Sequence, residues 1–190
     1  VRMARSRPKT VKDHIDIACA TLELWQKVLK DNRLLNFIYQ RHYGWGMVEP
    51  ETLRDLMFAL VDLNIHTEGV AVSVGSGSGY IEELLRGLFD IISTDVDPDP
   101  DPCSGDHNER GVLPYSKMNG ADVGAEIPEA TTLLMIWPCK SRVDDGEDKY
   151  DTKTLRAFGA NRGKFLVYIG EGYDGYDGQY SRQTGSPGFH

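Results

Sequence analysis

The sequence predicts an α/β protein: an open, mostly parallel sheet with helices on its faces, preceded by a helical segment. Three observations predict it. The first third of the chain carries apolar residues at helical spacing. From Gly69 onward, short runs rich in valine, isoleucine and leucine alternate with helix-like stretches. A glycine-rich turn, VGSGSG, joins one of those runs to one of those helices. Strand and helix in strict alternation need crossover connections, and these favour parallel strands covered on both sides.

From Thr10 to Asp31, Val11, Ile15, Ala18, Leu22, Trp25 and Leu29 recur every three or four positions and draw one stripe along a long helix. Asn32 to Tyr43, with Leu34, Leu35, Phe37, Ile38 and Tyr39, repeats the habit, and Gly44, Trp45 and Gly46 break it. Glu49 and Pro50 then offer a proline-tolerant first turn with early negative charge, and Leu53, Leu56, Met57, Leu60, Val61 and Leu63 form a further apolar face. The period changes at Gly69 to Gly75 (GVAVSVG), a valine-rich run bounded by glycine, as suits a buried strand. Tyr80 to Phe89 reads as helix through Ile81, Leu84, Leu85 and Leu88, and Ile91 to Val96 as a second strand ending on an acid.

Asp97 to Glu109, with Pro98, Pro100 and Pro102 among aspartates, can only be loop. One short strand is expected near Tyr115 to Asn119, with a turn at Asn119 and Gly120. Thr131 to Trp137 (TTLLMIW) is a further strand, Asp151 to Phe158 a short helix, and Lys164 to Gly170 (KFLVYIG) the last strand. From Glu171 the chain is glycine, tyrosine, aspartate and serine with almost no aliphatic residues, so it reads as an irregular tail. With 190 residues to share, one domain is expected: a basic arm over 1–9, a helical segment over 10–68, the α/β core over 69–170 and the tail over 171–190.

Charge narrows the partners. The formal net charge is -8, and Arg2, Arg5, Arg7, Lys9 and Lys12 give the first twelve residues +5, so the remainder carries -13. So acidic a body is a poor match for a polyanion, and any nucleic-acid contact would fall to the arm. No run approaches the roughly 20 apolar residues of a membrane span, and the basic opening stretch from Val1 lacks the apolar centre of a secretory signal. Cys19, Cys103 and Cys139 are too scattered for a disulfide framework or a thiolate metal site, and His14, His42, His66, His107 and His190 lack ligand spacing. No metal is assigned, and a reducing, cytoplasmic setting is expected.

The glycine turn carries the chemistry. Glycine takes positive φ at little cost and lets backbone approach a ligand that a Cβ would exclude. The glycines fall at 75, 77 and 79 with Tyr80 next, whereas a dinucleotide fingerprint spaces them Gly-x-Gly-x-x-Gly, which disfavours NAD and FAD. A nucleoside-triphosphate loop would need a Lys followed by Ser or Thr, and none follows.

VSVGSGSG, followed by a strand ending in Asp95, resembles motifs I and II of the class I S-adenosylmethionine-dependent methyltransferases, over roughly positions 69–170. The resemblance implies a Rossmann-like core with S-adenosylmethionine as cofactor. Gly75, Ser76, Gly77 and Gly79 would pass beneath its methionine and ribose portions. An acid after the second strand would bind the ribose hydroxyls: Asp95, sixteen residues after Gly79, with Asp97 as second choice. A polar residue after the third strand, Asp122 or else Asn119, would meet the adenine amine. The last strand and its loop, YIGEG, also resemble divergent eukaryotic and viral methyltransferase-like proteins.

In a doubly wound sheet the transferred group lies at the carboxyl ends of the strands, which here puts Trp137 and Pro138 beside the methyl acceptor. Members of the family that methylate base amines carry Asp or Asn followed by Pro-Pro and an aromatic, whereas this chain has Ile136, Trp137, Pro138 and Cys139. Base N-methylation is therefore not expected, and the acceptor is open. Lys140 and Glu171 follow strand ends and are the candidates to flank a nucleophile. Full members commonly continue into a further helix and an antiparallel hairpin, and after the last strand a shortened sheet with neither is expected here. The competing expectation is thus a catalytically inactive methyltransferase-like module, a subunit of a larger assembly such as a virion.

Overall fold

The computed structural model describes residues 10–30, 48–67, 69–77, 79–95, 115–138 and 150–170. The expected helix over 32–43, the basic arm and the tail after Gly170 lie outside the described residues.

Helix α1 (Val11–Leu29) starts where its sequence can satisfy the first free N–H groups. The Thr10 hydroxyl accepts from the Asp13 amide at 3.0 Å, and the Asp13 carboxylate accepts from the Thr10 amide at 3.1 Å, a reciprocal capping box. Its stripe buries Ile15, Ala18, Cys19, Leu22 and Leu29, so Cys19 is a packing residue. Helix α2 (Pro50–Asp62) begins on a proline, whose missing N–H is one the first turn would leave unbonded anyway, and buries Leu53, Met57 and Leu60. Leu63 does not belong to that face: it caps the helix C-terminus and is 68% exposed. A 3-10 turn (Ile65–Thr67) leads toward the sheet.

The strands are β1 (Val70–Val74), β2 (Asp90–Asp95), β3 (Tyr115–Lys117), β4 (Ala130–Ile136) and β5 (Phe165–Ile169). Between them lie α3 (Tyr80–Leu85), a 3-10 turn (Gly120–Asp122) running into the one-turn α4 (Val123–Glu126), and α5 (Tyr150–Ala160). The sheet order is β3-β2-β1-β4-β5 and every pair is parallel, which is a Rossmann-like α/β architecture. The chain moves outward from β1 to β2 and β3, then returns to β1's other side for β4 and β5. Right-handed crossovers run in opposite directions therefore place α3 on one face and α5 on the other.

Burial follows that plan. Period-two alternation sends Ala71, Ile91, Leu134, Val167 and Ile169 into a core shared with α1, α2 and α3. Val72, Val74, Leu133 and Met135 go to the opposite core, with Val123, Ile127 and Phe158. Covered on both sides, β1 buries Ala71 through Val74 in succession, which is why it reads as an unbroken apolar run.

Two of the boundaries that differ from the periodicity bear on the site. Helix α3 stops at Leu85 rather than Phe89. His14 of α1 explains the early end: its Nε2 lies 2.7 Å from the Leu84 carbonyl and 3.2 Å from the Gly87 amide, and its ring occupies the place of a Cβ at Gly87. Leu88 and Phe89 remain buried, but as parts of the following turn. Strand β4 stops at Ile136 because Trp137 adopts φ 45°, a left-handed conformation incompatible with continuing a strand.

Candidate functional site

The order of strands reverses between β1 and β4, and the connections leaving their carboxyl ends diverge there. In open α/β sheets this is where ligands bind. The glycine turn leaves β1 at that point. Gly75, Gly77 and Gly79 all lie at positive φ, 71°, 52° and 68°, a conformation that costs an L-residue roughly 1–2 kcal/mol and glycine almost nothing. Among the described residues, a Cβ built on Gly77 would meet no atom within 4 Å, so the loop presents bare backbone on that side.

Hydrogen bonds fix the loop to β2. The Gly75 and Ser76 amides both donate to the Thr94 carbonyl, at 3.0 and 3.1 Å, and the Ser76 hydroxyl lies between the carbonyls of Ser73 and Thr94 at 3.3 and 3.2 Å. Thr94 returns its own hydroxyl to the Ser73 carbonyl at 2.8 Å. Gly79 closes the turn, donating to the Ser76 carbonyl at 2.8 Å, and stands as N-cap of α3.

Asp95, at the carboxyl end of β2, is half-buried, and its Oδ2 accepts the Gly77 amide at 3.1 Å. The acid chosen from sequence thus reaches the middle glycine of the loop itself. A carboxylate has about four acceptor positions, of which the Gly77 amide takes one. Asp97 lies outside the described residues. Beyond β3, Asn119 is spent on structure: its side chain caps the 3-10 turn by accepting from the Ala121 amide at 3.0 Å. Asp122 is exposed on the same turn. That turn packs against α5 and the end of β1, since a Cβ on Gly120 would collide with the Thr154 side chain and lie 2.9 Å from Val74.

On the other side, Trp137 and Ser76 each stand three residues beyond the register pair Leu134 and Ser73, at the ends of adjacent strands. The Trp137 amide donates to the Ile169 carbonyl at 2.6 Å, and its half-buried side chain packs on the α1–α3 core. Pro138 is buried. A tryptophan held in the left-handed region is uncommon and stores strain, which marks the position as one whose geometry matters. Lys140 and Glu171 lie outside the described residues.

Two residues join this site that the sequence reading passed over. Tyr150, at the start of α5, sits with its hydroxyl 3.8 Å from where a Gly75 Cβ would be, on the side of the loop opposite α3. Glu82, in the first turn of α3, is only 2% exposed, and its Oε1 accepts the Ser73 hydroxyl at 2.6 Å. Burial pushes this carboxyl above the usual glutamate range, against the lowering effect of the hydrogen bond from Ser73. A glutamate early in a helix ordinarily reads as a surface charge favoured by the helix N-terminus, so composition gave no sign of its burial. Its spacing from Ile81 and Leu85, both buried, was the available clue.

Among the described residues, no group of three or more His, Cys, Asp or Glu is placed to hold a metal ion, and no helix is long and apolar enough to cross a membrane. No protein-family model matches the chain, and no curated protein matches it.

Proposed function

We propose that this protein is an S-adenosylmethionine-dependent methyltransferase whose cofactor lies across the Gly75–Gly79 turn. One observation carries the reading: at the switch point of a 3-2-1-4-5 parallel sheet, the acid ending β2 bonds to the central glycine of the turn after β1. A ligand with vicinal hydroxyls and a flexible arm suits that pairing. Its hydroxyls can donate to Asp95, and its arm can run over Gly77, where no Cβ and no atom of the described residues intrudes.

The residues present fit the cofactor. When bound, it would supply an activated methyl group on sulfur. The chain's own part is to hold and orient: Asp95 fixes the ribose end, the three glycines give backbone access, and Trp137 and Pro138 border the side from which an acceptor would approach. Positioning of that kind contributes most of the catalysis in a direct displacement, where one base or none is needed. Lys140 and Glu171 are the proposed residues for such a base, Asp97 shares the ribose role by sequence, and Asp122 is proposed for the adenine edge.

The competing reading, a non-catalytic module of a larger assembly, has one observation on its side. Trp137 packs onto the sheet core, as a residue with a purely structural task would.

Asp95→Ala tests the assignment. Loss of a charged acceptor for two hydroxyls, together with its bond to the Gly77 amide, is expected to weaken S-adenosylhomocysteine by about 1.5–3 kcal/mol, roughly 10- to 150-fold. Titration of wild type and variant measures it. An unchanged affinity would take the ribose role away from Asp95.

A further inference from the structure

Glu82 is an expensive residue to bury. It lies in the first turn of α3, three positions after Gly79, and it faces the core containing Ile81, Leu85, Ile91 and Leu134. Ser73 is its bonded partner from β1, and Ser93 of β2 stands in register with Ser73 on the same face of the sheet. Ser93 is 2% exposed, and its hydroxyl has no hydrogen-bond partner among the described residues. A buried carboxyl, and an unsatisfied hydroxyl one strand over from its bonded partner, thus lie inside a core that apolar side chains would fill at less cost. Buried titratable groups next to a cleft are where functional sites concentrate.

No cation offsets Glu82 among the described residues. Asp95, from β2, is the charged group that acts on it, and it is of like sign. Helix α2 brings Leu53, Met57 and Leu60 to this core, and its Arg54 acts on Cys19 of α1; His14 of α1 engages the far end of α3 at Leu84 and Gly87. Two acids therefore flank the turn, Asp95 at its middle glycine and Glu82 below it.

We propose that Glu82 is the counter-charge that makes the glycine-turn site prefer a cationic ligand over its neutral counterpart. This rests on the cofactor reading above. It assigns the site a preference for the sulfonium of S-adenosylmethionine over the thioether of S-adenosylhomocysteine, so that the spent product is held less firmly than the reactant. Glu82 acts through the field beneath the turn and through Ser73, as a specificity-determining residue. Because burial favours its protonated form, an arriving cation draws out a proton. Affinity for the cation accordingly rises with pH through the Glu82 titration and then levels, and affinity for the neutral thioether lacks that component.

The test is calorimetric titration of wild type and Glu82→Gln with S-adenosylmethionine and with S-adenosylhomocysteine, across pH 5 to 9 and in buffers of different ionisation enthalpy. Glutamine keeps the size of the side chain and an oxygen to accept the Ser73 hydroxyl. Wild type should favour the sulfonium on the order of tenfold at the upper end of that range. Proton release should accompany the sulfonium and not the thioether, and E82Q should lose both the preference and the release. Equal proton release with the two ligands in wild type would overturn the proposal without any variant. So would an E82Q protein that keeps the wild-type affinity ratio. Binding of both ligands without discrimination sinks this inference alone, whereas binding of neither removes the cofactor reading together with it.

Discussion

Gly77→Val is expected to abolish binding of S-adenosylhomocysteine, an effect of at least about 100-fold or ~2.7 kcal/mol, while the protein stays folded. The reasoning separates two costs. A β-branched residue at φ 52° is strained, which takes roughly 1–2 kcal/mol from stability. Because a Cβ at this position meets no atom of the described residues within 4 Å, none of them adds a clash to that strain. The loss expected in binding is that of a ligand the new side chain would exclude. Titration measures the first effect and denaturant unfolding the second. A variant that binds as wild type does would remove Gly77 from the site.

Leu85→Ala should show the opposite pattern, a loss of about 2–5 kcal/mol in stability from a residue that no ligand touches. Leu85 is 0% exposed at the end of α3 and belongs to the core shared by α1, α2 and the sheet. With six residues, α3 is too short to stand by its own hydrogen bonds and depends on this packing. Against the roughly 5–15 kcal/mol that holds a domain together, the loss is large, and it should appear as a lower urea midpoint at unchanged slope. A shift below about 1 kcal/mol would mean that the helix carrying Glu82 is anchored elsewhere. Together the two variants distinguish residues that make the site from residues that support it.

The order of elements was legible because the hydrophobic period changes from helical to strand-like at Gly69, and because VGSGSG can only be a turn. What the sequence withheld is tertiary. The periodicity of Leu84, Leu85 and Leu88 promised a helix to Phe89, and it took His14, some seventy residues away, to end it at Leu85. TTLLMIW read as strand to its last residue, yet Trp137 turns into the left-handed region with its amide bonded to Ile169 of the neighbouring strand. The same holds in the site. Gly75, Gly77, Gly79 and Asp95 could be chosen by spacing and are brought together. Asn119 turned out to be a cap, Glu82 is buried where the first turn of a helix gives no sign of it, and Tyr150 lay one residue outside the expected helix. Burial of a charge and the approach of two distant elements leave no local signature.

The most direct test of the central claim, that the turn after β1 holds an adenosyl cofactor, is calorimetric titration of the full chain with S-adenosylhomocysteine, with NAD as the control ligand. Saturable one-to-one binding of S-adenosylhomocysteine, and none of NAD, is the predicted result. Binding of NAD, or of neither ligand, would contradict it.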